Sequence, residues 1–131
     1  MSVESKDKNI QKNKHIFSSF MHSCDGLKEA FKTERSLLVL LLATVATVLL
    51  GIHLKLELLE WIIIIFVILF VAAVELINTA IEDTVDLVTK TYNPLAKIAK
   101  DTASAATLMA VIAAVIVVLA IFISKFMEIL Y

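Results

Sequence analysis

Three long apolar segments dominate this chain of 131 residues. The clearest one runs from Thr102 to Ser124 without a charged side chain, and the others cover residues 37–52 and 61–81. A helix of about 20 mostly apolar residues crosses the hydrocarbon core of a bilayer. Because only two glycines and one proline interrupt the chain, the pattern predicts an all-α integral membrane protein with three transmembrane helices.

The amino-acid composition excludes several other classes of protein and site. Hydrophobic residues make up 60% of the chain, and the formal net charge is −1. Such a charge gives no general attraction to nucleic acid. The single cysteine, Cys24, cannot form an intrachain disulfide or a zinc cluster. No secretory signal peptide is expected, since the first apolar segment begins only at Leu37.

The order of segments predicts one small domain after a tail. Residues 1–14 are polar and lysine-rich and are expected to form a flexible tail, followed by a membrane domain over residues 15–131. An apolar stripe at helical spacing predicts an amphipathic surface helix at about 15–35. The spans are expected at about 36–53, 59–82 and 101–124, with Asn93-Pro94 breaking the helix before the last one. Close helix packing is expected on a face of small residues: Ala103, Ala106, Ala110, Ala113 and Ala114.

Basic residues predict the orientation. Seven lysines and arginines precede the first span, and Lys90, Lys97 and Lys100 lie in or beside the connection before the third span. The other two ends carry only Lys55 and Lys125. The positive-inside rule therefore places the N-terminus in the cytoplasm and the C-terminus outside.

The second span ends in a polar stripe. Within the sequence ELINTAIEDTVD at residues 75–86, a helix brings one set of side chains to one face: Glu75, Asn78, Thr79, Glu82 and Asp86. Ionisable residues at membrane depth usually face a bundle interior or a site. The stripe fits a seam that hydrogen-bonds helices together, and it also fits a cation site beside a base.

Phosphoryl transfer would use these residue types. Magnesium prefers oxygen ligands, such as the carboxylates of Glu34 and Glu82, completed by substrate phosphates. Lys100 offers a positive charge for a polyphosphate, and Asp101 could orient that lysine or a nucleotide group. Glu75 is suited to act as a general base on a lipid hydroxyl. No Walker motif occurs in the sequence, so side chains on helices would have to build the phosphate site.

The segments VELINTAIEDTVDLV and NPLAKIAKDTASAATL resemble the signature of small bacterial membrane lipid kinases, the family of prokaryotic diacylglycerol kinase and undecaprenol kinase. The resemblance covers residues 15–124. It implies a homotrimer of three-span subunits in the bacterial inner membrane, with active sites shared between neighbouring subunits at the cytoplasmic interface. It also implies ATP as co-substrate, magnesium as cofactor and a membrane lipid alcohol as acceptor.

The resemblance further implies the roles of individual residues. Glu75 matches the catalytic base and Asn78 an active-site asparagine, and Glu75 and Ser104 are expected beside the lipid. Glu34 and Glu82 match the ligands of the metal, which also hold the nucleotide phosphates. The remaining nucleotide contacts are expected at Thr91, Tyr92, Asn93, Lys100 and Asp101. Two positions depart from the family pattern, because His15 stands in place of a frequent arginine and His22 in place of a tyrosine near the adenine. Either histidine could still hydrogen-bond the nucleotide and is counted among the expected contacts, although both also fit polar side chains on a surface helix.

Two other functional classes compete with a kinase. A small proton-coupled transporter could use Glu75 as its membrane carboxylate, but it would leave Glu34, Glu82 and Lys100 unexplained. A structural protein would use the polar stripe only to join helices. Among kinase substrates, TYNPLAKIAKD and the TER at residues 33–35 resemble the undecaprenol kinase branch. Undecaprenol is therefore the expected acceptor, and diacylglycerol is the alternative.

Overall fold

The computed structural model describes the backbone of residues 3–130 and the side chains of residues 17–130. It contains four helices: α1 Val3–Thr33, α2 Arg35–His53, α3 Leu58–Val88 and α4 Pro94–Leu130. Residues 3–130 include no strand. Helices α2, α3 and α4 are each long and apolar enough to cross a membrane. The predicted all-α class with three candidate spans is therefore confirmed.

The chain divides into two compact units. Helix α1 forms the first, and the second begins at Glu34. Along α1, Lys28 pairs with Asp25 at 3.9 Å and Lys32 with Glu29 at 3.1 Å. The helix extends back to Val3. The division between a tail of residues 1–14 and a domain of residues 15–131 stays a prediction, as does the position of α1 at a membrane surface.

Helix α2 ends in a tight turn that leads directly into α3. The backbone N–H of Leu56 donates to the carbonyl of Gly51 at 3.1 Å, and that of Lys55 donates to Ile52 at 3.2 Å. These two bonds define a Schellman motif, in which the residue after the C-cap adopts a left-handed conformation. Lys55 occupies that position with φ of 56°. Glu57 and Glu60 then close a reciprocal capping box at the start of α3.

The main apolar cluster lies beside this turn. Leu54, Leu56 and Ile64 are buried, and partly buried side chains of α3 and α4 pack against them: Trp61, Ile68, Val118, Ile121 and Phe122. Gly51 is required by this packing, because a Cβ built there would lie 2.7 Å from Cη2 of Trp61 and 2.9 Å from Cδ1 of Leu56. The indole of Trp61 therefore occupies space that would be filled by any side chain larger than that of glycine at position 51.

Helix α4 packs mainly on α3. Ala103 and Ala110 are buried at this contact, and Ala114 is half-buried. Ala106 and Ala113 are exposed in the single chain, so they take no part in the contact with α3. The reason is rotation: each lies three residues after a buried alanine, which turns its side chain by about 60°.

Ion pairs join α3 and α4 at both ends. At one end, named here the Lys125 end, Lys125 is buried and its Nζ lies 3.2 Å from Oε1 of Glu57 and 2.9 Å from Oε2 of Glu128. At the other, the Lys100 end, Nζ of Lys100 lies 3.0 Å from Oδ1 of Asp86. These pairs hold the register of the two antiparallel helices.

Candidate functional site

The polar stripe of α3 is built as its spacing predicts. The side-chain nitrogen Nδ2 of Asn78 donates to Oε1 of Glu82 at 3.0 Å, one helical turn further along. The hydroxyl of Thr79 donates to the backbone carbonyl of Glu75 at 3.1 Å. Because a carboxylate only accepts hydrogen bonds, the contact with Glu82 fixes the orientation of the Asn78 amide and leaves Oδ1 on the other side.

Glu75 lies in a cavity between α2, α3 and α4. Its side chain is buried, with the residue 8% exposed. The cavity has a volume of about 470 Å³, within the range of small-molecule sites. Its polar lining consists of Ser36, Glu75, Asn78, Ser104 and Thr107. Of the predicted site residues, the structure thus brings Glu75, Asn78 and Ser104 to one cavity.

A second cavity continues from the first along the helices. It has a volume of about 260 Å³, and both cavities are lined by Leu40, Ala43, Val71 and Val111. The second cavity extends toward the Lys125 end, past Ile68 and Val118. Its lining is almost wholly apolar. Together the two cavities form a groove that is polar at Glu75 and apolar beyond it, which suits a molecule with a polar head and a long tail.

Lys100 forms an ion pair across the helices with Asp86. Its Nζ donates to both carboxylate oxygens of Asp86 at 3.0 Å. Lys100 lies two residues before the charge-free segment at 102–124, and its ammonium group is hydrogen-bonded to a carboxylate, which favours the charged form. Lys100 therefore carries a full positive charge about 6 Å from the level of Ser104, measured along α4.

The predicted partnership of Asp101 with Lys100 does not form. Asp101 instead pairs with Lys97, one turn earlier on the same helix. The physical reason is helix geometry, because adjacent residues project about 100° apart whereas residues four apart share a face. Asp86, one of the stripe residues, takes the place beside Lys100.

The connection between α3 and α4 carries three predicted nucleotide contacts. The hydroxyl of Thr89 donates to the carbonyl of Thr91 at 3.0 Å, and Tyr92 is 81% exposed. Oδ1 of Asn93 accepts from the backbone N–H of Leu95 at 2.9 Å and so caps α4, with Pro94 as its first residue. Asn93 therefore has a structural role whatever else it contacts, and its amide nitrogen stays available.

The other predicted contacts lie outside the Glu75 cavity or outside the described side chains. Glu34 is the half-buried N-cap of α2, and its carboxylate makes no capping hydrogen bond. His22, on the separate α1 unit, is within 3.2 Å of the hydroxyl of Ser18. The side chain of His15 is not among those described.

No three carboxylate, histidine or cysteine side chains gather into a metal site among residues 17–130. Magnesium does not require such a cluster, because substrate phosphates and water complete its shell around one or two carboxylates. Glu82 fits this role, since Asn78 engages only Oε1. Oε2 of Glu82 is a suitable oxygen ligand, and so is the carboxylate of Glu34, which makes no capping hydrogen bond.

Comparison with known proteins decides the family. A profile described as prokaryotic diacylglycerol kinase matches residues 21–122. The chain is 39% identical over 123 residues to undecaprenol kinase of Bacillus subtilis (strain 168), covering 94% of this chain and 99% of that protein. This chain belongs to the prokaryotic diacylglycerol kinase family.

Relatives with the diacylglycerol kinase name are also similar. The chain is 37% identical over 99 residues to diacylglycerol kinase of Helicobacter pylori (strain ATCC 700392 / 26695), covering 76% of this chain and 77% of that protein. It is 39% identical over 104 residues to diacylglycerol kinase of Synechocystis sp. (strain ATCC 27184 / PCC 6803 / Kazusa), covering 79% and 59% respectively.

As a member of the prokaryotic diacylglycerol kinase family, the chain is a lipid kinase with membrane-spanning helices. The predicted family and enzyme class are confirmed, and a kinase is favoured over the transporter and the structural protein. Family membership does not by itself assign roles to residues, so the predicted site residues stay proposals.

Sequence reasoning missed two polar residues of the cavity, Ser36 and Thr107. Serine and threonine are common in membrane helices, where they usually hydrogen-bond their own backbone. Nothing in the local sequence therefore marks either one as part of a site. Only the packing of α2 and α4 against Glu75 brings them there.

Proposed function

We propose that this lipid kinase transfers the terminal phosphoryl group of ATP to the hydroxyl of undecaprenol, with magnesium as cofactor. The observation that carries the proposal is the buried carboxylate of Glu75 at the polar end of a groove that is otherwise apolar. The similarity to the undecaprenol kinase of Bacillus subtilis along nearly the whole chain favours undecaprenol. Diacylglycerol is the second candidate, because other relatives carry that name.

The proposed reaction assigns the proton to Glu75. The acceptor hydroxyl lies in the cavity beside Ser104, with its hydrocarbon tail in the apolar part of the groove. Its oxygen forms a bond to the terminal phosphorus of ATP as the bond from that phosphorus to the departing ADP oxygen breaks. Glu75 takes the hydroxyl proton as a general base. Asn78 supports this step by holding Glu82 in place.

The nucleotide is proposed to lie at the Lys100 end. Lys100 contacts the phosphates, and Glu34 and Glu82 hold magnesium, which neutralises phosphate charge when it is bound. The further contacts proposed for the nucleotide are Thr91, Tyr92, Asn93, Asp101, His15 and His22. The positive charge of Lys100 and the exposed connection beside it support this assignment.

The protein is proposed to lie in the bacterial inner membrane as a homotrimer, with the N-terminus and the Lys100 end in the cytoplasm. The distribution of lysine and arginine supports the orientation. An open cavity and only three candidate spans per subunit support self-association, since one subunit encloses little of a site. The number three follows from the family resemblance alone.

The test is phosphate transfer from labelled ATP by the full chain in mixed micelles that contain undecaprenol or dioleoylglycerol. We expect a labelled product with undecaprenol that requires magnesium, is lost with EDTA and returns when magnesium is added. Glu75→Gln should lower the rate by about a hundredfold or more without changing the size of the assembly, because a carboxamide cannot act as a base. Glu29→Gln, on the exposed face of α1, is the matched control.

Each outcome has a separate meaning. A product with dioleoylglycerol alone would mean that diacylglycerol, and not undecaprenol, is the acceptor. Full activity in Glu75→Gln would rule out Glu75 as the base. No product with either lipid, from folded and assembled protein, would overturn the proposed reaction.

A further inference from the structure

Two buried polar atoms lack a hydrogen-bond partner among the described residues, and both belong to the Glu75 cavity. They are Oδ1 of Asn78 and the hydroxyl oxygen Oγ1 of Thr107. Buried polar groups are almost always paired, because leaving one unpaired destabilises the folded state. Two unpaired atoms that line one cavity therefore indicate that a polar ligand binds in it.

Thr107 differs from three other threonines in the span helices. The hydroxyls of Thr44, Thr79 and Thr84 each donate to the backbone carbonyl four residues earlier. This local bond is the usual way for a helix to satisfy a threonine away from water. Thr107 makes no such bond, although the carbonyl of Ala103 is the equivalent acceptor. Its hydroxyl remains available to a molecule in the cavity.

The ion pairs at the two helix ends place Thr107 near the depth of Glu75. Eighteen residues separate Glu57 from Glu75 on α3, and eighteen separate Thr107 from Lys125 on α4. Counted from the pair of Asp86 and Lys100, the two residues differ by about 6 Å, or roughly one turn. Ser104 lies about one turn nearer the Lys100 end.

The chemistry of the cavity matches an alcohol. A hydroxyl donates one hydrogen bond and accepts others. Glu75 can receive the donated proton, and Thr107 has an unused O–H that can donate to the alcohol oxygen. Oδ1 of Asn78 only accepts, since Nδ2 of the same amide is bound to Glu82.

We propose that Thr107 binds the acceptor lipid by donating a hydrogen bond to the hydroxyl oxygen that is to be phosphorylated. The bond orients this oxygen with its proton toward Glu75 and one lone pair free to attack phosphorus. This proposal rests on the proposed function and adds a residue that recognises the alcohol group shared by undecaprenol and diacylglycerol. Thr107 gains or loses no atom in the reaction.

Three variants of the full chain test this proposal in mixed micelles. Thr107→Val replaces the hydroxyl by a methyl group of similar size, and Thr107→Ser keeps the hydroxyl. Thr84→Val removes a hydroxyl that is already bound to the carbonyl of Ala80 and serves as the control. Measured for each are kcat and KM for lipid and for ATP, the melting temperature and the size of the assembly.

We expect Thr107→Val to raise KM for the lipid alcohol about tenfold, the effect of one hydrogen bond. The KM for ATP should stay within twofold, and Thr107→Ser should recover most of the affinity. The melting temperature of Thr107→Val should be equal to or higher than that of the wild type, because the change removes an unpaired polar group. A role limited to protein structure would not give higher KM together with equal or greater stability.

Three results would overturn the role of Thr107: unchanged lipid KM in Thr107→Val, a changed KM for dioleoylglycerol alone, or loss of assembly in that variant. The second result would mean that the Thr107 hydroxyl binds an ester carbonyl of dioleoylglycerol. The third would mean that it contacts a neighbouring subunit. Failure of the proposed function is distinguishable, because the wild-type chain itself would then phosphorylate neither lipid.

Discussion

Lys100 and Asp86 join the two helices that carry most of the candidate site. The pair is only partly shielded, with the lysine side chain 34% exposed and the aspartate 57% exposed. Ion pairs between partly exposed side chains contribute little to stability. A hydrogen bond from a charged lysine to a phosphate is stronger than one between neutral groups. If Lys100 contacts ATP, its loss should therefore affect activity much more than the loss of Asp86.

We accordingly expect Lys100→Met to lower kcat/KM for ATP by about 10- to 100-fold, and Asp86→Asn to lower it by less than about tenfold. Steady-state kinetics at saturating lipid would measure both effects. Lys32→Met, which removes a lysine paired along one exposed helix, controls for loss of charge. Equal losses in the Lys100 and Asp86 variants would mean that the ion pair acts as one structural unit and that Lys100 has no separate role toward the nucleotide.

Single residues also show where sequence reasoning reached its limit. The bond from Asn78 to Glu82 follows from a spacing of four on one helix, so the sequence was sufficient to predict that they share a face. The pair of Lys100 and Asp86 joins different helices, and so does the approach of Thr107 to Glu75. Both depend on the rotation and register of α4 against α3, which local patterns do not encode.

At the scale of elements, the turn between α2 and α3 combines a local backbone motif with close packing. The Schellman bonds bring Leu56 back over Gly51, and the first turn of α3 then places Trp61 against the same glycine. A side chain at position 51 would overlap this arrangement. Overpacking of this kind typically costs about 1–3 kcal/mol, and the roughly 1 kcal/mol that alanine gains over glycine in a helix offsets only the lower end of that range.

Gly51→Ala should therefore lower the melting temperature in detergent, as followed by circular dichroism. Gly26→Ala is the matched control in another helix interior, where a Cβ would meet no atom within 4 Å, and it should be neutral or stabilising. The cost of Gly51→Ala should shrink in a Trp61→Leu background, because the two sites share the crowded space. An undiminished cost in that background would exclude the indole as its cause.

The main elements were predictable because their signals are local. Apolar runs located the three candidate spans, and Asn93-Pro94 marked the point where α4 begins. The alanine face was predicted only in part, since spacing alone does not fix which side of α4 meets α3. Gly51 also gave no local signal, because its need for space comes from Trp61, ten residues later.

At the scale of the whole molecule, the apolar surface and the charge distribution together constrain how the protein lies in a bilayer. Large apolar side chains remain exposed along the three candidate spans, including Leu42, Phe66 and Met109. Their exposure is favourable in lipid and would be costly in water. The connection at residues 89–93, which contains Lys90, and the turn at residues 54–57 lie at opposite ends of α3. They must therefore face opposite sides of the membrane if α3 spans it.

The proposed orientation predicts which of these connections is reached from outside the cell. With Cys24 replaced by alanine, Leu58→Cys should react with a membrane-impermeant maleimide on intact cells, and Thr91→Cys should react only after permeabilisation. Both positions are exposed, and neither change alters a charged residue, so the lysine and arginine bias that sets the orientation is preserved. The opposite labelling pattern would place Lys100 and the polar end of α3 outside. The site would then lie away from cytoplasmic ATP, and the proposed nucleotide contacts would be untenable.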